Sequence, residues 1–203
     1  MDAKEFYKRF VTLMREDRVL ADGRSLLQIY KTDEPEFTKI VNHRIVPQII
    51  TESGLVSQNE YFRVDTVGWT TKFEDIDAAY SKSLGLVRHL WDLKIAVEHE
   101  NDKSNWTDEL IKIAHLRCPL KVVIGYAHCD ERGNVEDEKL KFAYSCLSRL
   151  DAFDIHANEE FLIVLGNGAP RKRANGTYDK FDYRGYVLTQ GKAEFVKLEI
   201  GRL

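Results

Sequence analysis

Cysteine is scarce. The 203-residue chain has three, Cys118, Cys129 and Cys146, too few and too scattered for a disulfide scaffold, so reduced thiols and a cytoplasmic location are expected. Long apolar runs are missing. Stretches such as Val122–Val123–Ile124 fall far short of the roughly 20 residues that a bilayer-spanning helix needs, and the N-terminal MDAKEFYKRF carries no apolar signal core. No membrane association is expected. An excess of positive charge is also lacking: 30 Lys and Arg stand against 33 Asp and Glu, a net charge of −3. That excludes a general basic coat for nucleic acid but not a local basic patch. There is no internal repeat, no Pro/Gly/Ser-rich linker, and no GxxxxGK(S/T) or GxGxxG phosphate loop. Cys118 and His128–Cys129 lack the paired spacing of a zinc site. What is present is ordinary globular composition, 43% hydrophobic and 31% charged, which fits a single domain over residues 1–203.

The periodicity alternates between helix and strand. Phe6, Phe10, Leu13 and Met14 recur at helical spacing. A second helix is expected from near Asp33, with Pro35 in its first turn, Phe37, Ile40, Val41 and Ile45 on its inner face, and Pro47 kinking or ending it. Residues 61–67 (YFRVDTV) and 90–100 (LWDLKIAVEHE) read as strands, with 72–86 ambiguous. A helix over 105–117 carries the stripe Trp106, Leu110, Ile113 and Ala114. Residues 120–126 (LKVVIGY) and 161–165 (FLIVL) read as strands buried on both faces, separated by a helix over 136–150. The tail reads as a hairpin around Gly191. The fold class is α/β: a mixed central sheet flanked by helices, with N-terminal helices and a C-terminal hairpin.

The chemically informative segment is Val97-Glu98-His99-Glu100. In a strand, Glu98 and Glu100 share one face and His99 takes the other. Two carboxylates about 7 Å apart on one face repel unless positive charge lies between them, and a hard divalent cation such as magnesium answers that need. The plainer alternative is the solvated end of an edge strand. Asp65, on the preceding strand, is a third acid able to meet them if the strands are neighbours; its plainer role is to cap the bend at Gly68. By parity His99 is a packed or hydrogen-bonded core residue. Trp69 and Trp91 read as core, and Trp106 as packing its helix against the strand.

An Asp on one strand, Glu-x-Glu near the end of the next, then a helix and a buried strand together resemble the PD-(D/E)xK nuclease superfamily, the restriction-endonuclease-like fold. The resemblance covers about residues 60–127 and is carried by Val64-Asp65, Glu98-His99-Glu100, the helix and the strand 120–126. Two positions depart from the pattern. Val64 replaces the usual proline, and Glu100 replaces the usual lysine, as in some restriction endonucleases. The resemblance implies a metal-dependent endodeoxyribonuclease. Mg2+, with Mn2+ as a substitute, would be held by Asp65, Glu98, Glu100 and the main-chain carbonyl of His99, and Lys94 or Lys103 would support the missing lysine's role. Double-stranded DNA and a homodimer are the implied partners. The loop containing Arg171, Lys172 and Arg173 is the most basic short stretch and the candidate for phosphate contact; Arg24, Lys39, His43 and Arg44 are weaker candidates. Because Glu100 stands in for lysine, the alternative is a catalytically inactive nuclease-fold domain that binds nucleic acid or a partner protein. A glycosidase ranks last, because both glutamates project from one strand rather than flanking a cleft.

Overall fold

A computed structural model describes residues 1–15, 19–20, 22–61, 63–70, 92–101, 106–127, 134–150, 158–167 and 182–199. The ambiguous stretch 72–86, Trp91, Lys103 and the basic triplet Arg171–Arg173 lie outside them.

Helix α1 spans Ala3–Leu13. The Asp2 carboxylate caps it by accepting from the Glu5 N–H at 2.7 Å. Phe6, Phe10 and Met14 are buried. Helix α2, Leu26–Thr32, was not expected from the pattern; a capping box between Ser25 and Gln28 starts it. Asp33 ends α2 and caps α3, Glu34–Ile40. The expected inner face of Phe37, Ile40, Val41 and Ile45 is buried. Pro47 does not end the helical run. A π-helical turn, Val41–Ile45, comes immediately before it, and Pro47 takes a first-turn position in α4, Val46–Glu52. There its missing N–H and its ring are tolerated.

Strands β1 (Val56–Tyr61) and β2 (Val64–Trp69) form a tight antiparallel hairpin, with Tyr61 opposite Val64. The single strand expected over 61–67 is therefore wrong. The chain reverses inside that stretch, with Glu60 at φ 56° and Arg63 at φ 64°. Neither is a usual left-handed residue, so β-branched and aromatic residues on both sides of the turn read as one run.

Strand β3, Leu93–His99, lies antiparallel to β2 with Thr66 opposite Val97. Helix α5, Trp106–Ala114, crosses to β4, Leu120–Ala127, which is parallel to β3. Helix α6, Asn134–Leu147, precedes β5, Glu160–Asn167, parallel to β4. Strands β6 (Tyr183–Thr189) and β7 (Val196–Lys197) close the far edge antiparallel, with Gly191 at φ 75° in the turn between them.

The sheet runs β1-β2-β3-β4-β5-β6-β7. One face packs Ile95, Val97, Leu120, Val122, Ile124, Leu162 and Val164 against α1 to α4. The other packs Ala96, Val123, Phe161, Ile163 and Leu165 against α5 and α6. This is a mixed sheet between two helical layers, and it explains the unbroken apolar runs of β4 and β5. A Cβ added at Gly125 would lie 2.8 Å from the Trp106 side chain, so the glycine lets α5 approach β4 closely. Trp106 and Trp69 are buried, as the pattern indicated. Among the described residues no helix is long and apolar enough to cross a membrane.

Candidate functional site at the end of β3

The antiparallel register that sets Thr66 against Val97 carries Asp65 level with Glu98. The Asp65 Oδ2 accepts a hydrogen bond from the His99 N–H at 2.8 Å, tying β2 to β3 where β3 ends. Because β3 pairs with β2 on one side and β4 on the other, it is not an edge strand. The solvated-edge reading therefore fails for Glu98, which is 2% exposed.

Burial raises the pKa of Glu98, and the nearby Asp65 charge raises it further. Lys112 pulls it back, and the net position is about 8. Burial likewise raises Asp65, opposed by the His99 N–H and by Lys112. Two crowded, desolvated carboxylates with upward-shifted pKa values are characteristic of functional sites.

The counter-charge comes from a residue the sequence reading passed over. Lys112, on α5, places its Nζ 2.8 Å from Glu98 Oε1, against Glu109 Oε2, and 2.9 Å from the Arg63 carbonyl oxygen. Burial lowers its pKa, but the Glu109 and Glu98 carboxylates outweigh that and leave it raised. In sequence, Glu109 and Lys112 look like an ordinary i,i+3 surface pair. The available signal was their position beside the buried stripe of Trp106, Leu110 and Ile113, which turns that edge of α5 toward the sheet. The Arg63 carbonyl enters the site because of the left-handed turn that the strand reading missed.

Glu100 lies just past β3, half-buried, with its N–H donating to the Ile124 carbonyl at 2.9 Å. The structure thus joins Asp65 and Glu98 but does not gather Glu100 with them. Among the described residues, no group of three His, Cys, Asp or Glu side chains is arranged to hold a metal ion. Lys94 pairs with Asp92 at 2.7 Å. Arg24 pairs with Asp22 and Asp33, Lys39 lies 3.9 Å from Glu36, and His43 Nδ1 lies 2.6 Å from Asn59 Nδ2.

His99 faces the opposite helical layer. Its Nδ1 is 3.0 Å from Asn42 Oδ1 and its Nε2 is 3.0 Å from the Tyr126 hydroxyl. With the Asn42 oxygen as acceptor, Nδ1 carries the proton and Nε2 accepts from Tyr126. Phe37 and Tyr126 pack around the ring. Burial pushes the imidazole pKa down to about 3, so His99 is a neutral core residue at physiological pH.

No family model matches this chain, and no curated protein or solved structure matches it.

Proposed function

We propose that this protein is a metal-dependent phosphodiester hydrolase acting on DNA, with a restriction-endonuclease-like core and Asp65 and Glu98 as its principal acids. The observation that carries this reading is the meeting of those two carboxylates on neighbouring strands, followed in the chain by α5 and the buried parallel strand β4. That is the order of elements in which the superfamily motif is recognised.

The residues fit a hard divalent cation in their chemistry. Both are carboxylates, side by side on neighbouring strands, and the upward shift of each comes first from burial away from water. Asp65 and Glu98 would hold Mg2+, or Mn2+ in its place, with the His99 main-chain carbonyl as a further oxygen donor. The bound metal would supply a water of lowered pKa and a counter-charge for the phosphate. The chain's own part is positional. The His99 N–H fixes the Asp65 carboxylate, the sheet seals Glu98 from bulk water, and Lys112 pairs with Glu98 and Glu109. Duplex DNA is the proposed substrate, with two copies of the chain cutting the two strands.

The test is plasmid cleavage with Mg2+ or Mn2+, then with EDTA, by the wild type, Asp65→Asn and Glu98→Gln. Metal-dependent nicking or linearisation is expected, with each variant slower by about 10²-fold or more. Absence of metal-dependent cleavage across DNA and RNA substrates, or equal cleavage by the variants, would contradict the reading. A second reading, a non-catalytic nuclease-fold domain that binds nucleic acid or a partner protein, is favoured by one observation: no three-ligand set is assembled among the described residues. It predicts no specific Mn2+ uptake by calorimetry, and partner binding unchanged by Glu98→Ala.

A further inference from the structure

The ammonium of Lys112 sits where three chain segments converge. β3 contributes Glu98 Oε1 at 2.8 Å, the β1–β2 turn contributes the Arg63 carbonyl at 2.9 Å, and α5 contributes the Glu109 carboxylate. Every partner is an oxygen, two of them from carboxyl groups, which is the donor set that hard cations select. Glu98 Oε1 and Glu109 Oε2 are both shut off from solvent, yet neither receives an aligned hydrogen bond. The cradle is therefore only partly satisfied by its occupant, and burial of a carboxylate oxygen without hydrogen bonds is costly. The Lys112 side chain, by contrast, is 36% exposed, so it has a route to solvent.

We propose that Lys112 is an exchangeable internal cation. Its ammonium fills a divalent-cation cradle formed by Glu98, Glu109 and the Arg63 carbonyl, and it swings out when a divalent metal enters. The inference rests on the metal-binding part of the function proposed above and extends it. Glu109 and the Arg63 carbonyl become ligands, and Lys112 becomes a positioning residue that competes with the metal instead of helping to hold it. Exchange of one positive charge for two would suit a site where Asp65 stands level with Glu98 on the neighbouring strand. The released ammonium would then stand at the mouth of the site.

Two measurements test this. In Mn2+ titrations of the full chain by calorimetry, Lys112→Met is expected to bind about tenfold or more tightly than the wild type, and Glu109→Gln about tenfold or more weakly. If Lys112→Met does not fold, the second measurement uses the wild type alone. Lysine acetylation followed by mass spectrometry should show Lys112 reacting several-fold faster at saturating Mn2+, with Lys94 unchanged. Equal or weaker Mn2+ binding by Lys112→Met, or a Lys112 acetylation rate that is unchanged or lower with Mn2+, overturns the exchange. No Mn2+ uptake by any form overturns it as well. The nuclease reading fails separately: Mn2+ exchange at Lys112 without phosphodiester cleavage leaves the cradle standing and removes the cutting role.

Discussion

Glu98 and His99 are consecutive residues at the end of β3, 2% and 6% exposed, and they point into opposite layers. His99 enters a layer of neutral partners: Asn42 and Tyr126 satisfy both ring nitrogens and Phe37 packs beside it. Glu98 enters a layer of charge, with Asp65, Glu109 and Lys112 around it. The first arrangement spends a polar residue on cohesion, because every group has its partner. The second concentrates like charge in a desolvated place, which works against stability and is retained in proteins where binding or catalysis needs it. Burial alone thus does not separate a structural polar residue from a functional one; the charge state of its partners does.

The largest effects should separate the two sides cleanly. Asp65→Asn and Glu98→Gln are expected to lower metal-dependent cleavage by about 10²-fold or more, read in plasmid assays, while remaining folded. His99→Ala should do the reverse. It opens a cavity and leaves Asn42 and Tyr126 unpaired, so urea unfolding should show a loss of roughly 2–4 kcal/mol. If His99→Ala proves as stable as the wild type, the neutral side is not the structural one.

The next contrast is in pH. The pKa of Glu98 is raised in the folded state to about 8 from an ordinary 4.5. Its contribution to stability is full below about 4.5 and is lost as pH rises through 8. His99 is lowered to about 3 from 6.5. Its contribution is full above 6.5 and is lost as pH falls toward 3. Melting temperatures from pH 4.5 to 8.5 should show Glu98→Gln gaining on the wild type as pH rises. His99→Gln should show less acid sensitivity than the wild type below pH 6.5. Parallel curves for wild type and Glu98→Gln would mean that Glu98 is not charge-strained.

Smaller effects test the supports. Gly125→Ala should cost about 1–3 kcal/mol, since its methyl would press on Trp106 and push α5, with Lys112, off the sheet. Lys94→Ala, which among the described residues removes the pair with Asp92, should change stability by less than about 1 kcal/mol and leave Mn2+ affinity as it was.

The large elements were legible in the sequence because burial imposes period. The α1 stripe, the α5 stripe and the unbroken apolar runs of β4 and β5 follow directly from packing on one or both faces. The neighbouring placement of Asp65 and Glu98 was legible only as a condition, since strand pairing is a long-range fact. What escaped was local backbone geometry. The Glu60–Arg63 turn uses no glycine or proline, and the π turn lets the helical run pass Pro47; both are set by their surroundings rather than by a residue preference. Lys112 escaped because its partners come from three separated segments, while in sequence it has a sufficient partner in Glu109.

The most direct measurement is anomalous diffraction from a crystal soaked in Mn2+. A peak is expected within coordination distance of the Asp65 and Glu98 carboxylates, with the Lys112 ammonium moved off Glu98. A crystal at saturating Mn2+ with no peak there, and Lys112 still seated on Glu98, would contradict it.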